Sequence, residues 1–336
     1  MATINPELFL GNIITSRVRL ARNLVGYPFH VRDEKSAREI IKKVNRAVIK
    51  CDTFNLYNVR SVDDITLEAM RERHLISTNL IENDFGAVLV NQDESVSIMI
   101  NEEDHIRQQC FMKGLRLSEA YKRLDKIDDE ISKNLDVAFS GQFGFLTACP
   151  TNLGTGLRAS VLMFLPALTE SGKISALVEE VARLGLTVRG LYGEGSKAEG
   201  YMYQISNEVT LGTTEYNIIR QVEETVTRIC NAERDEMERL YVRKELKTMD
   251  RARKSFGILT NAVLLSYSEF LSHIAEVKLG AMLGMINIPE IDKLDELIIA
   301  ARPAMLCHSY GKKLSSVDRD LLRAETVGSR LLKLKD

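Results

Sequence analysis

The sequence predicts an α+β protein, in which a first part containing strands and helices is followed by an all-helical second part. Between residues 85 and 206, short apolar runs of strand length alternate with amphipathic segments of helical length. From Thr213 onward almost every periodic segment has helical spacing, and glycine or proline residues separate these segments. We therefore divide the chain into domains 1–225 and 226–336, with a long helix near the boundary.

The composition is that of a soluble globular protein of 336 residues, with 45% hydrophobic and 27% charged residues. A formal net charge of −2 gives no general attraction to nucleic acid or to an anionic membrane, so neither is an expected partner. No apolar run reaches the roughly 18 residues of a membrane-spanning helix, and residues 1–10 do not resemble a secretory leader. Five widely spaced cysteines match neither a zinc site nor a disulfide framework, which favours the cytoplasm.

The first elements follow from local patterns. Residues 15–23 alternate arginines with apolar residues, which by itself would indicate a short, partly exposed element with solvated arginines. Residues 34–49 place their apolar side chains on one side at helical spacing and predict a helix. Residues 85–90 and 96–100 predict two strands that are joined by a polar turn.

The next elements lead into and out of a glycine-containing loop. Residues 117–137 form an amphipathic, charged segment that predicts a helix, and residues 139–148 alternate small and aromatic side chains like a strand. A helix is predicted for residues 174–184. Strands are predicted for residues 186–192 and 201–206.

Glycine-rich residues 193–200 are expected to be mobile and able to close over a ligand. The second part of the chain is predicted to contain four main helices, at residues 217–246, 267–283, 288–300 and 317–334.

The stretch Cys149-Pro-Thr-Asn-Leu-Gly-Thr-Gly-Leu-Arg-Ala-Ser160 combines a thiol, a turn-rich loop and an arginine. Glycines at 154 and 156 would let backbone N–H groups approach an anion, and Arg158 would add a delocalised positive charge. Alone, the same residues are more typical of an ordinary turn beside a buried cysteine. A second stretch, Asn101-Glu-Glu-Asp-His-Ile-Arg107, strengthens the functional interpretation because it groups three carboxylates, an imidazole and a guanidinium.

Two further segments accompany these stretches, namely Ser16-Arg-Val-Arg19 and Arg189-Gly-Leu-Tyr-Gly-Glu-Gly195, the latter followed by Gln204-Ile-Ser-Asn207. In this order the four segments resemble the signatures of the phosphagen (guanidino) kinase family, and the chain is most similar to its bacterial protein arginine kinase branch. The resemblance implies a catalytic domain of the glutamine-synthetase-like kind, a curved antiparallel sheet flanked by helices. A helical C-terminal domain would follow it.

The resemblance also implies roles for individual residues. Glu103 would be the catalytic base, Glu194 would be its partner on the substrate guanidinium, and Cys149 would hold that guanidinium as a thiolate. ATP binding is assigned to Ser16, Arg17, Val18, Arg19, His74, Arg107, Arg158, Ala159, Ser160, Val161, Leu162, Arg189, Gly190, Leu191, Tyr192, Gly193 and Glu194. For His74, an ordinary surface histidine is an equally good interpretation.

These residue types suit phosphoryl transfer to a guanidinium. The acceptor is a poor nucleophile while protonated, so carboxylates must orient it and accept a proton. The donor triphosphate requires several positive clamps and Mg²⁺, and we expect ATP with Mg²⁺ as cofactor, with no protein residue assigned to a metal. The sequence lacks a Walker loop and the His-Arg-Asp and Asp-Phe-Gly signatures of eukaryote-type protein kinases.

Substrate choice is inferred from the ends of the chain. Small-molecule members of the family carry a helical domain before the Ser-Arg-Val-Arg motif, and none is expected here because the motif begins at Ser16. The site should therefore be open enough for arginine within a polypeptide. Near the C-terminus, Arg319, Asp320, Arg323 and Ala324 match an Arg-Asp-x-x-Arg-Ala motif that binds phosphoarginine in the arginine kinase branch. On a helix the two arginines lie on one face, where a solvated salt bridge is the alternative.

The expected function is protein arginine phosphorylation in stress response and protein quality control. By resemblance, the partners would be protein substrates, a zinc-binding activator protein, the ClpC protease machinery and a heat-shock repressor. Residues 275–288 could form a homodimer contact or equally an internal core. The alternatives to this function are a kinase for free arginine or another small guanidine, and a non-catalytic adaptor that reads phosphoarginine.

Overall fold

The computed structural model describes residues 11–190 and 199–335 and contains a large antiparallel sheet. Eight strands form it in the order β2-β3-β4-β5-β1-β8-β10-β9, and β6 pairs with β7 separately. The strands are β1 (Ile13–Arg22), β2 (Phe54–Asn58), β3 (Ala87–Asn91), β4 (Val96–Ile100), β5 (Ile106–Lys113), β6 (Phe139–Ser140), β7 (Gly144–Phe145), β8 (Leu157–Phe164), β9 (Leu186–Gly190) and β10 (Met202–Asn207).

Helices cover the sheet and form nearly all of the C-terminal part. They are α1 (Glu34–Val48), α2 (Asp64–Glu72), α3 (Thr78–Ile81), α4 (Leu117–Asn134), α5 (Pro166–Glu170), α6 (Ile174–Arg183), α7 (Glu215–Asn261), α8 (Tyr267–Met282), α9 (Asp292–Ala300), α10 (Pro303–Tyr310) and α11 (Ser316–Lys335). Asp33 and Ser266 cap α1 and α8, because their side chains accept backbone N–H bonds from the first helical turn. None of the helices in the described ranges is long and apolar enough to cross a bilayer.

Alternating side chains give the sheet two different faces. In the central strand β1, Val18 and Leu20 are fully buried, whereas Arg17 and Arg19 point to the opposite face and stay half-buried. The apolar face packs on α1, α4 and the first half of α7, with Ile40 and Val44 of α1 among the buried residues. Burying each large aliphatic side chain contributes about 1.5–3 kcal/mol, which fixes the register of the strands.

A second core joins the helical region to the sheet. Helix α7 enters both cores, with Ile229 in the first and Met237 in the second. Phe164 of β8 and Met202 of β10 also belong to the second core, so the helical region packs directly on the end of the sheet. The change of core within α7 agrees with a boundary near its middle, and the division at 225 and 226 stays a prediction.

Most elements that were predicted from periodicity are present, and the differences have local causes. Residues 15–23 are the centre of the sheet rather than a partly exposed element. Residues 139–148 do not form one strand, because the left-handed backbone of Gly144 turns the chain and leaves the short β6–β7 hairpin. Helix α7 continues past 246 through an irregular residue, Lys244. The apolar residues of 275–288 are buried in the second core, as the internal-core alternative predicts.

Seven of the helices and strands in the described residues were not predicted, namely β2, α2, α3, β5, β8, α5 and α10. Two of these helices begin with proline, at Pro166 and Pro303. Proline is tolerated in the first turn because its missing N–H has no intrahelical partner there, so it does not mark a break. The predicted mobility of 193–200 falls largely outside the described residues.

Candidate active site

The strand register places five arginines on one face of the sheet. Arg17 and Arg19 are two residues apart on β1, and Arg19 lies directly opposite Arg158 of β8. On the other side of β1, Ala21 pairs with Arg107 of β5. The same face continues through Leu162 and Gln204 to Arg189 of β9, because directly paired residues project to the same side. Arginines that are far apart in sequence therefore line one cleft.

The positive charges in this cleft lie close to one another without enough carboxylates to balance them. Burial, followed by the charges of Arg107 and Arg158, lowers the pKa of Arg17 to about 10. Burial and the charges of Arg17, Arg107 and Arg158 lower the pKa of Arg19 well below its ordinary value. Burial and the charge of Arg189 lower the pKa of Arg158. Within the described residues, the buried Nε atoms of Arg19 and Arg158 have no hydrogen-bond partner. This arrangement is suited to a polyanion such as a phosphate chain.

The loop after β4 uses one carboxylate to orient an arginine. Both oxygens of Glu102 accept hydrogen bonds from Arg107 Nη1 at 2.9 Å, and Ser77 Oγ donates to Glu102 Oε1 at 2.6 Å. Glu102 Oε2 also accepts from the backbone N–H of Glu103. Burial alone would raise the pKa of Glu102, but Arg107 and these donors hold it below the ordinary value. The buried ion pair therefore fixes both Arg107 and the backbone of Glu103.

A second carboxylate of the same loop fixes the segment before Cys149. Asp104 Oδ1 accepts hydrogen bonds from Asn23 Nδ2 at 2.6 Å and from the Ala148 N–H at 2.7 Å. The adjacent His105 accepts from the Leu24 N–H through Nδ1 at 2.9 Å, and burial lowers the pKa of its imidazole. Asp104 and His105 thus position the site without facing the cleft.

Glu103 faces the cleft together with Cys149. Both line a cavity of about 110 Å³ whose other walls include Arg19, Arg107 and Arg158. Within the described residues the Glu103 carboxylate has no hydrogen-bond or ion-pair partner, so it is available to a ligand. Cys149 Sγ lies 3.0 Å from Thr151 Oγ1. The predicted pair of Glu103 and Cys149 is therefore brought together, whereas Glu194 lies outside the described residues.

The Gly-Thr-Gly loop has a different role from the predicted anion cradle. A Cβ at Gly154 would lie 2.4 Å from the Thr210 carbonyl oxygen, and one at Gly156 would lie 2.6 Å from the Ala21 carbonyl oxygen. The N–H groups of Gly154 and Thr155 donate to backbone carbonyls rather than facing the cleft. Both glycines also have positive φ values, 110° and 63°. They are needed for close backbone packing that leads the chain from Cys149 into β8.

Two further cavities extend the cleft on either side of Glu103. A cavity of about 360 Å³ contains Arg17 and His74, and it shares Arg19 and Arg107 with the Glu103 cavity. A cavity of about 120 Å³ contains Arg158 and Arg189. His74 remains accessible through the larger cavity, yet burial by the surrounding protein and nearby guanidinium groups, Arg302 first among them, lower the pKa of its imidazole. The three cavities form one row.

The remaining residues assigned to ATP are divided between the two faces of the sheet. Ser160 and Leu162 share the arginine face. Gly190 ends β9, and Leu191, Tyr192 and Gly193 lie outside the described residues. Four others have their side chains on the opposite, buried face, namely Ser16, Val18, Ala159 and Val161. Ser16 Oγ, for example, donates to the Gly114 carbonyl at 2.7 Å. Their assignment stays a prediction, and it would have to involve backbone contacts.

The C-terminal Arg-Asp-x-x-Arg-Ala motif lies on α11, as predicted. Arg319 and Asp320 are half-buried, whereas Arg323 is fully buried and Ala324 belongs to the second core. The Arg323 guanidinium donates to the carbonyls of Ala301 and Leu265 and to Asp320 at 2.6–2.8 Å. Binding of phosphoarginine at this motif stays a prediction.

Sequence analysis did not identify several residues that shape the cleft. Glu102, Asp104 and Ser77 act through hydrogen bonds, and two of them lie inside the Asn101–His105 motif, whose density of carboxylates was the available signal. Tyr267, Arg302 and Pro303 come from the helical region and line the His74 cavity. No local pattern marks these three. Packing of α10 on α2 brings Arg302 and Pro303 to the sheet, whereas Tyr267 belongs to α8.

Comparisons with known families divide the chain in two. Residues 36–236 match the ATP:guanido phosphotransferase C-terminal catalytic domain, and residues 243–336 match the protein-arginine kinase McsB C-terminal domain. The duplicated taurocyamine kinase from Schistosoma mansoni, solved with transition state analog components, has a similar fold with a TM-score of 0.63 at 22% identity, covering 94% of this chain and 49% of that one. Lombricine kinase has a TM-score of 0.59 at 25% identity and 67% coverage of both chains.

Relatives of known name are similar over nearly the whole length. A protein-arginine kinase of Caldanaerobacter subterraneus subsp. tengcongensis is 42% identical over 328 residues, which cover 96% of this chain and 97% of that protein. One of Clostridium acetobutylicum is 40% identical over 325 residues, covering 95% and 96%. The chain therefore belongs to the ATP:guanido phosphotransferase family and, within it, to the protein-arginine kinases.

Proposed function

We propose that this protein transfers the γ-phosphoryl group of Mg-ATP to the guanidinium of arginine side chains in other proteins. The observation that carries the proposal is the cavity in which Glu103 and Cys149 lie between Arg19, Arg107 and Arg158. A carboxylate and a thiol for the acceptor guanidinium thus adjoin a row of arginines for the donor phosphates. Membership of the protein-arginine kinases favours a polypeptide-bound arginine over the free amino acid.

The geometry supports a direct transfer. The acceptor guanidinium would lie against Glu103 and Cys149, with the γ-phosphate held by the adjacent arginines. As the new N–P bond forms, the bond between the γ-phosphorus and the bridging oxygen breaks, and ADP leaves with that oxygen. The proton lost from the attacking nitrogen passes to the Glu103 carboxylate, which has no hydrogen-bond or ion-pair partner among the described residues. Glu194 is proposed as the second carboxylate on the acceptor.

Mg²⁺ is proposed to enter as part of the nucleotide substrate. Over residues 11–190 and 199–335, no cluster of three His, Cys, Asp or Glu side chains is arranged to hold a metal ion. Mg²⁺ keeps several waters and is commonly bound through substrate phosphates, which fits a cleft whose walls are mainly guanidinium groups. When bound, the ion neutralises charge that develops on the phosphate chain.

A homodimer is proposed through the helical region. Four large apolar residues of this region are 49–74% exposed, namely Val263, Leu264, Val317 and Leu321. The Leu265 N–H donates to the Asp320 carbonyl at 3.1 Å, so the two segments are neighbours and their apolar side chains form one surface. From the family resemblance, we further propose a cytoplasmic role in stress response. An activator protein, ClpC and a heat-shock repressor are the proposed partners.

The deciding experiment incubates the protein with Mg-ATP and either an arginine-rich protein or free arginine. Phosphoarginine is detected by ³¹P NMR or by mass spectrometry at neutral pH, because the N–P bond is acid-labile. A Glu103→Gln variant preserves the shape of the side chain but cannot accept the proton, and an exposed Glu238→Gln variant is the matched control. We expect phosphoarginine on the protein substrate that depends on Glu103 and not on Glu238.

Other outcomes would favour the alternatives. Phosphorylation of the free amino acid alone would establish a small-molecule arginine kinase. If neither substrate were phosphorylated, even with cell extract as a source of activator, a phosphoarginine-reading adaptor would remain. The adaptor would also require that Asp320→Ala abolish the biological effect while Glu103→Gln leaves it intact.

A further inference from the structure

The His74 cavity is built from both parts of the chain. Its sheet side contributes Arg17, Arg19 and Arg107, whereas its opposite side is formed by Tyr267, Arg302 and Pro303 of the helical region. All three of these residues belong to the segment that matches the separate C-terminal family model rather than the catalytic one. The largest part of the candidate nucleotide cleft is therefore incomplete without the helical region.

Position along the row of cavities indicates which end of a nucleotide this part would hold. The acceptor guanidinium and the γ-phosphate meet at Glu103, and the His74 cavity shares Arg19 and Arg107 with that site. The α- and β-phosphates would then lie at the shared arginines. The far end, with the rings of His74, Tyr267 and Pro303, is left for the nucleoside, whose base stacks well on flat or apolar surfaces.

Arg302 is the residue that ties this end of the cavity together. It is almost fully buried, with 6% of its surface exposed, and its Nη1 donates to the Glu72 carbonyl. Both Nη1 and Nη2 lie 3.4 Å from His74 Nε2. Because a guanidinium can only donate, it requires the lone pair of Nε2 and leaves the imidazole proton on Nδ1. Burial and, after it, the charge of Arg302 lower the pKa of His74, which favours the neutral ring.

The segments that carry Arg302 and Tyr267 are held by other specific bonds. Glu72 Oε2 accepts from the Met305 N–H at 2.9 Å, which secures the first turn of α10 to the end of α2. Arg323 donates to the carbonyls of Ala301 and Leu265, and its guanidinium lies 5.7 Å from the centre of the Tyr267 ring. Arg323 therefore fixes both segments that reach the cleft, the one with Arg302 and the one with Tyr267.

We infer that the helical region completes the nucleoside subsite, with Arg302 as a positioning residue that sets the tautomer and orientation of His74 and with Tyr267 as a wall for the base. This inference rests on the proposed function, because it takes ATP as the ligand of the cleft. The inference predicts that the helical region is needed to bind the nucleoside of ATP. The phosphate chain should bind to the sheet arginines without help from the helical region.

The test compares two ligands that both contain a triphosphate chain, of which only ATP carries a nucleoside for the inferred subsite. Binding of Mg-ATP and of Mg-tripolyphosphate is measured by titration calorimetry for the full chain, for Arg302→Ala and for Arg253→Ala, an exposed arginine of the same region that lines no described cavity. We expect Arg302→Ala to raise the Kd for ATP roughly tenfold, the loss expected for hydrogen bonds to a charged group. Its Kd for tripolyphosphate should stay within about twofold of that of the unaltered protein.

If Arg302→Ala weakened the binding of both ligands equally, the variant would have a structural defect. If it weakened neither, Arg302 would have no part in nucleotide binding. Each result overturns the inference. If Arg302→Ala does not fold, Tyr267→Leu tests the subsite instead. This variant keeps a large side chain at a half-buried position but removes the aromatic ring. It should weaken ATP several-fold and leave tripolyphosphate unchanged, and a failure to discriminate would count against the subsite.

The proposed function can fail separately. If the unaltered protein binds no ATP, the proposed function and the subsite fall together. If it binds ATP and phosphorylates protein arginine while Arg302→Ala and Tyr267→Leu bind ATP normally, only the subsite is wrong.

Discussion

The cleft differs in its buried charges from the seam, by which we mean the surroundings of the second core, where the helices pack on one another and on the sheet. In the cleft, Arg17, Arg19 and Arg158 lie beside one another, and two of their Nε donors have no partner within the described residues. In the seam, Arg323 donates to two carbonyls and to Asp320, and Lys278 pairs with Asp295. The cleft arginines have N–H donors left to bind a ligand, whereas the N–H donors of Arg323 bond to the protein and stabilise the fold.

The largest effect is expected for a cleft arginine, and it should appear in activity rather than in stability. Arg19→Ala should lower kcat/KM on the order of 10³-fold, because Arg19 borders both the Glu103 cavity and the His74 cavity. Its free energy of unfolding should be unchanged or higher, because the other arginines lose a repelling neighbour. Steady-state kinetics and urea unfolding, with Arg253→Ala as control, measure the two quantities. A marked loss of stability would contradict the comparison.

The buried pair of the seam should show the reverse. Lys278 is 1% exposed, lies 2.5 Å from Asp295 Oδ1 and sits 4.9 Å above the Phe164 ring. Lys278→Met should lower the free energy of unfolding by about 3 kcal/mol, because the half-buried Asp295 loses its partner. Adding Asp295→Leu should restore most of the loss, as measured by urea unfolding. If the double variant were as unstable as the single one, the pair would not be the cause.

Arg323 links the seam to the cleft, and its substitution should affect both. Arg323→Ala leaves the carbonyls of Ala301 and Leu265 without a donor and should cost about 3 kcal/mol of unfolding free energy. The Kd for ATP should also rise, because these carbonyls precede the segments that carry Arg302 and Tyr267. The exposed Arg330→Ala variant is the control. Unaltered stability would show that the contacts of Arg323 are dispensable.

A buried carboxylate of the seam gives a prediction for pH. Glu233 is fully buried and caps α5, accepting the Ala167 and Leu168 N–H groups at 2.7 and 2.9 Å, and burial raises its pKa to about 7 from an ordinary value of 4.5. The folded state therefore binds the proton more strongly than the unfolded state. The resulting stability is fully present below about pH 4.5 and is lost as the pH rises through about 7.

Comparison with Glu233→Gln isolates this contribution, because glutamine has no proton to lose. The stability of the variant relative to the unaltered protein should rise by up to about 3 kcal/mol from about pH 5 to about pH 8, as measured by urea unfolding. A difference that does not change with pH would mean that Glu233 ionises at its ordinary value.

Much of the site could be predicted from the sequence because its signals are local. Glu103, Cys149 and the five cleft arginines lie in short motifs whose residue types match the chemistry, and the structure brings all of them together except Glu194, which is outside the described residues. The loop glycines show the limit of such patterns. A Gly-Thr-Gly stretch is compatible with an anion cradle or with close backbone packing. The positions of Thr210 and Ala21 in the folded chain distinguish the two.

The sequence by itself determined the α+β and all-helical parts, because periodicity follows directly from burial of one side of each element. It also determined the chemistry, because carboxylates, a thiol and guanidinium groups occur there in recognisable local groupings. Tertiary structure alone decided that five arginines share one face, since this depends on the order and register of strands that are distant in the sequence. It also decided that Arg302 and Tyr267 reach the cleft. Arg302 arrives through the packing of α10 on α2, and the segment of Tyr267 is held by Arg323, and no local pattern encodes either contact because the partners are distant in sequence.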